Sequence, residues 1–120
     1  MLIHNEATVK QDNHLRAAQE LRATQSRLII PNDIRTYVEV ALGIAQHYIS
    51  YGLARQDGTH PDRHAGMART LRERGHPEVA DALVEIEHLR LGRWYGQQGN
   101  GEAAERCDRL LDVIEAWALG

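Results

Sequence analysis

Residues 33–53 read DIRTYVEVALGIAQHYISYGL, and this stretch decides the fold class. Its apolar side chains recur every three or four positions, which is the spacing of one helical face. Further apolar side chains cover much of the remaining surface of the same helix. We predict a helix that is capped by Asn32 or Asp33 and reaches about Leu53. A helix that is apolar on most sides lies at the centre of a bundle or is shared with a partner subunit.

The rest of the chain predicts further helices separated by short breaks, and no strand. The first spans residues 6 to about 27, and it has so few apolar side chains that we expect residues 1–30 to pack loosely. A short polar helix opens at Thr59 or His60, a fourth segment keeps helical spacing from Pro77 to Gly96, and a last helix follows Asn100. We therefore predict an all-α protein, with a single domain over residues 1–120 that forms an antiparallel four-helix bundle with an additional short helix.

Composition excludes several classes of protein. No apolar run approaches the ~20 residues that a membrane helix requires, so we expect no membrane partner. The net charge of −3 carries no general signature of nucleic-acid binding. The one cysteine, Cys107, excludes an internal disulfide and shares its spacing with core positions of the last helix. With no signal-peptide pattern at the first residues, we expect a cytoplasmic location.

Arg90 is the first candidate for function. It falls on the apolar stripe of the fourth helix, four residues after Ile86. A guanidinium that points at a core or an interface is costly unless it is paired, and polar groups retained there are candidates for function. The structural alternative is that Arg90 pairs with Glu87 and stacks on Trp94, three and four residues away on the same helix.

Histidines and further arginines supply two weaker hypotheses. His60 and His64 have metal-ligand spacing, but Pro61 lies between them and no third ligand is close, so we predict no metal site and no cofactor. Arg69 and Arg72 share a side of the short helix, where they either contact phosphate or form a solvated helix face.

From residue 33 to residue 117 the chain resembles the HEPN superfamily of small helical proteins. The resemblance is carried by VALGIAQHY at 40–48, GTHPDRHAG at 58–66 and HLRLGRWYG at 88–96. Many members are metal-independent ribonucleases of toxin–antitoxin pairs, in which an arginine is followed after four to six residues by a histidine. The two usually meet in a cleft between the subunits of a dimer. Arg90 matches the arginine, but Tyr95 stands where the histidine belongs, and tyrosine is a poor base at neutral pH.

The resemblance thus implies a non-catalytic or degenerate HEPN-like protein that binds a nucleotide, an RNA or a protein partner, in a toxin–antitoxin or mobile-element context. We expect a homodimer through the second and fourth helices. Arg90 and Tyr95 would then lie in the cleft and Arg93 at its rim. One alternative is a ribonuclease in which another histidine replaces the missing one, the candidates being His47, His64 and His88. Another alternative is a bundle whose only role is protein interaction.

Overall fold

The computed structural model of the protein describes residues 6–58, 65–92 and 100–120, and the regular structure of these residues is entirely helical. The predicted all-α class is confirmed. Five helices follow one another along the chain: α1 (Glu6–Gln25), α2 (Ile34–Asp57), α3 (Met67–Glu73), α4 (Pro77–Arg90) and α5 (Asn100–Leu119). Within the described ranges, no helix combines the length and the apolarity that crossing a membrane requires.

Helix α2 lies at the centre of the fold. It packs against α1, α4 and α5, while α4 also packs against α5 and α3 packs against α4. Its buried side chains point in several directions and include Val38, Ile44, Ile49 and Leu53. The apolar character of α2 on most of its sides is therefore accounted for by neighbours within one chain.

Polar contacts show the relative directions of the helices. Near the start of α2, Tyr37 contacts Asp108 of α5, and near its end Arg55 donates to the carbonyl of Ala118. Helices α2 and α5 therefore run in the same direction. The contacts His14–His47 and Gln25–Tyr37 show that α1 is antiparallel to α2. In the same way, hydrogen bonds from the start of α5 to the end of α4 and from the end of α5 to the residue before α4 show that α4 is antiparallel to α5.

Helix α1 packs on α2 with little apolar burial. Among its described side chains only Ala18 and Gln25 are buried, and the Gln25 amide donates to the Tyr37 carbonyl at 3.0 Å. Near its end, Arg22 reaches across to Asp112 and Glu115 of α5. These polar contacts add to the packing of the partly buried Leu15 and Leu21 against the core.

Two glycines move helix boundaries away from their predicted positions. Gly66 has a φ of 79° and caps α3, so that this helix begins at Met67 rather than at residue 59 or 60. Gly92 has a φ of 81°, so α4 ends at Arg90 rather than near residue 96. Left-handed backbone favours glycine because a Cβ atom is strained there, and it cannot continue a right-handed helix. Helix α2 is longer than predicted and reaches Asp57.

Candidate functional site

Arg90 is the last residue of α4, and it lies at the surface. The apolar stripe that leads to it is buried at Leu83 and Ile86, whereas the Arg90 side chain is 46% exposed. The buried part of the stripe therefore ends before Arg90, and the guanidinium does not pay the free-energy cost of burying a charge.

The carboxylate that pairs with Arg90 belongs to Glu39 of α2, not to the predicted Glu87. Arg90 Nε donates to Glu39 Oε2 at 3.2 Å, and the Glu39 side chain is 52% exposed. Because α4 ends at Arg90, its long side chain extends across to the neighbouring helix. An exposed ion pair of this kind contributes about 0.2–1 kcal/mol, so Arg90 can exchange Glu39 for another anion at low cost.

The chain leaves the helix directly after Arg90. The Gly92 amide donates to the Leu89 carbonyl at 2.9 Å, and Leu91 is 66% exposed. A continuous helix would separate Arg90 from a residue five positions later by about 140°, but α4 has already ended at Arg90. Tyr95 and Arg93 themselves lie outside the described residues, as does His64.

Two of the histidines that could replace the missing one, His47 and His88, lie within the described residues, and neither side chain lies beside Arg90. The His47 ring faces His14 between α1 and α2, with the two Nδ1 atoms 2.9 Å apart and the ring centroids 5.2 Å apart. His47 follows Glu39 by eight residues, which is about 12 Å along a helix. His88 is exposed and precedes Arg90 by two residues, which turns it about 200° around the axis of α4.

Arg69 forms an ion pair within its own helix, whereas Arg72 forms one with the neighbouring helix. Arg69 Nε donates to Glu73 Oε1 at 3.0 Å, within α3. Arg72 donates to Asp81 Oδ1 of α4 at 2.7 Å. Each guanidinium thus has its own carboxylate, and these contacts favour the solvated-face interpretation over a shared phosphate site.

A polar cluster between α1, α2 and α5 was missed by sequence reasoning. Arg22 of α1 donates to Asp112 at 2.7 Å and also to Glu115. Burial lowers the pKa of Arg22, but the hydrogen bond to Asp112 and the charge of Glu115 outweigh it and leave the pKa raised. The cluster holds the guanidinium charged and ties α1 to α5.

Two tyrosines of α2 extend this cluster. The Tyr37 hydroxyl donates to Asp108, and burial together with this bond raises the pKa of Tyr37. Burial, followed by the charge of Glu115, also raises the pKa of Tyr48. Both phenols therefore stay protonated, and their role in the cluster is to hold helices together.

An open groove of about 610 Å³ lies between the start of α4 and the end of α5. The Trp117 indole donates to His76 Nδ1 at 3.2 Å on its wall. The other lining residues are Gly75, Pro77, Glu78, Val79, Val113 and Ala116. The run His76-Pro77 indicated a helix start, but nothing in the sequence indicated that Trp117 would meet it.

Cys107 is fully buried, as predicted for a core position, and burial raises the pKa of its thiol to about 12. Such a thiol is a poor nucleophile at neutral pH. In the part of the chain that the structure describes, no three histidine, cysteine or acidic side chains are placed to hold a metal ion. His60 and His64 lie outside that part.

A scan of the sequence against protein-family models finds no match, and searches of curated proteins and of solved structures find no significant match either. The HEPN resemblance stays a prediction that depends on the residues quoted above.

Proposed function

We propose that the protein is a non-catalytic, HEPN-like four-helix bundle that binds RNA or a nucleotide through Arg90. The observation that supports this proposal is the position of Arg90. It stands at the exposed end of α4, and its ion-pair partner Glu39 is itself half exposed and easily exchanged. Arg69 and Arg72 contribute at most a charged surface, since each is paired separately.

Phosphate recognition follows from the chemistry of the guanidinium group. Arginine presents a planar fork of donors that matches a phosphate, and the bonds between them are charge-assisted. The contact to Glu39 uses Nε of Arg90. Because the whole chain carries a net charge of −3, attraction at long range is weak. We therefore expect binding that depends on this local contact and falls as salt is added.

We propose binding without cleavage because the chain lacks, at the expected position, the histidine that would act as the acid or base beside the arginine. The histidine that the resemblance calls for is replaced by Tyr95, and a phenol with an ordinary pKa of about 10 exchanges protons poorly at neutral pH. The His47 ring faces His14, and His88 is turned about 200° from Arg90 around the axis of α4. A ribonuclease that uses one of them together with Arg90 is therefore the weaker alternative.

A fluorescence-anisotropy titration with a short labelled single-stranded RNA tests the proposal. We expect Arg90→Ala to weaken binding about ten- to a hundredfold, because a hydrogen bond to a charged group contributes about 1.5–3 kcal/mol. The matched control is Arg16→Ala, which removes the same charge from an exposed position on α1 and should bind like the parent. Equal affinity of the parent and Arg90→Ala would contradict the proposal, and RNA cleavage by the parent without metal would restore the ribonuclease alternative.

The second candidate function is protein interaction. It is favoured by the exposed Leu91 beside Arg90 and by the groove that contains Trp117. If the parent binds neither RNA nor nucleotide in the titration, this candidate becomes the better proposal.

The remaining parts of the proposal concern context. We propose a cytoplasmic homodimer that belongs to a toxin–antitoxin or mobile-element pair, with Tyr95 beside Arg90 in the cleft and Arg93 at its rim. The cleft and the toxin–antitoxin or mobile-element context depend on the HEPN resemblance alone.

A further inference from the structure

We propose that the groove between α4 and α5 binds a small organic cation, an ammonium group attached to an apolar or aromatic body. The groove lies at the opposite end of α4 from Arg90. Glu78 on its wall precedes Arg90 by twelve residues, which is about 18 Å along a helix. Binding in the groove is therefore independent of phosphate binding by Arg90, and either can fail without the other.

The groove has the size and the composition of a small-molecule site. Its volume of about 610 Å³ lies within the range of roughly 300–1,000 Å³ that such sites occupy. Pro77, Val79, Val113 and Ala116 line it with apolar side chains, and Val113 is 44% exposed. A ligand that covers these side chains removes apolar surface from water, which provides a driving force for binding.

Trp117 forms a fixed aromatic wall of the groove. Its six-membered ring fills the space beside Gly52, where a Cβ atom would lie only 2.5 Å from Cζ3 of the ring. Its indole N–H is occupied by the hydrogen bond to His76 Nδ1. The surface that Trp117 still offers to a ligand is therefore aromatic carbon, whose π electrons attract a cation.

The charge at the groove favours a cation as the polar part of the ligand. Among the described residues that line the groove, Glu78 alone carries a formal charge. His76 carries no charge while its Nδ1 accepts the bond from Trp117, because an imidazolium has no acceptor. None of the ion pairs within the described ranges includes Glu78, so its carboxylate is available to a ligand.

An ammonium group attached to an aromatic ring uses both parts of the site. The ammonium group pairs with Glu78 and attracts the indole electrons of Trp117, while the ring covers Val113 and Ala116. Because Glu78 is exposed, its ion pair adds little affinity and acts chiefly to select the charge of the ligand. We therefore expect weak binding of simple amines, with a preference over uncharged ligands of the same shape.

NMR titrations of isotope-labelled protein with phenethylamine and with phenethyl alcohol test the proposal. The two probes have nearly the same shape, but only the amine is charged at neutral pH. The indole N–H signal of Trp117 reports binding, and Trp94→Phe assigns this signal, because the chain has two tryptophans. We expect the amine to bind about three- to tenfold more tightly than the alcohol, the range for an exposed ion pair with a cation–π contact.

Two variants in the groove and one control connect the binding to named side chains. Glu78→Gln removes the charge and should weaken binding of the amine about two- to fivefold, with no change for the alcohol. Val113→Arg places a long cationic side chain in the groove, at a position exposed enough to tolerate it, and should abolish binding of both probes. Glu87→Gln, on the opposite side of α4, should bind like the parent.

Several outcomes would overturn the proposal. If the parent binds both probes equally, or if Glu78→Gln binds the amine like the parent, the groove does not select a cation. If neither probe binds, or if Val113→Arg still binds the amine, the groove is not the site. If the Trp117 signal shifts with protein concentration alone, a second copy of the chain covers the groove instead. Circular dichroism of each variant checks that the helices are retained.

Discussion

Among single residues, spacing along the chain was a good guide in the middle of a helix and a poor guide at its end. Cys107 shares its helical face with Leu111 and Ile114, and all three are buried as that spacing predicts. Arg90 continues a buried stripe in the same way but is half exposed. The difference arises because periodicity predicts only which side of the helix a residue lies on. Burial also requires that another helix extends as far along the helix axis as that residue.

Stability at alkaline pH should report the burial of Cys107. Its thiol has a pKa of about 12 in the folded chain, well above the value of about 8.5 that an unperturbed thiol has. The folded state therefore keeps a proton that the unfolded state loses. The contribution is fully present below the ordinary pKa and is lost as the pH rises from about 9 towards 12, by up to about 1.4 kcal/mol per pH unit.

Urea denaturation at about pH 8 and pH 10 measures this effect. We expect the free energy of unfolding to fall less between the two values in Cys107→Ala than in the parent. The raised pKa values of Tyr37 and Tyr48 act with the same sign at higher pH, and they are common to both proteins. An equal fall in the free energy of unfolding in the parent and in Cys107→Ala would mean that the thiol is not buried.

At the level of the helices, α1 differs from the others in how it is attached. Arg22 is three-quarters buried and joins α1 to Asp112 and Glu115. Because α1 buries few apolar side chains, we expect Arg22→Ala to destabilise the protein by about 1–2 kcal/mol, since its hydrogen bonds are charge-assisted but the Asp112 carboxylate is mostly exposed to solvent. Hydrogen exchange should accelerate in α1 more than in α2 or α5.

Arg16→Ala is the matched control for this prediction, because it removes an exposed arginine from the same helix. Its exchange rates and its free energy of unfolding should equal those of the parent. If Arg22→Ala accelerates exchange equally in all helices, α1 opens only with the whole molecule, and the polar attachment has no separate role.

For the whole molecule, the predicted homodimer meets a constraint that the sequence did not show. Most of the surface of α2 is used within the chain, so that α4 would supply most of the contact. The exposed acids Glu78 and Glu87 lie on opposite sides of α4, so a face of α4 that meets a second copy brings one of them towards the same acid of that copy, and the two acids repel. We therefore expect a dimer whose dissociation constant falls as salt screens this repulsion.

Sedimentation equilibrium at low and high salt checks the expected assembly. The dimer should have twice the chain mass of 13.6 kDa and should be more populated at high salt. A species of 13.6 kDa at every protein concentration and at both salt levels would remove the homodimer from the proposal. The Arg90 site would then have to act within one chain.

The sequence by itself determined the all-α class, the presence of helices and the identity of most core positions, because periodicity and helix propensity act over a few neighbouring residues. It also indicated Arg90 as the residue to test. Only the tertiary structure decided that Glu39, 51 residues away, is its partner and that Trp117 meets His76. Such contacts depend on how the axes of two helices are placed relative to each other. That placement is a property of the packed core, which no local pattern contains.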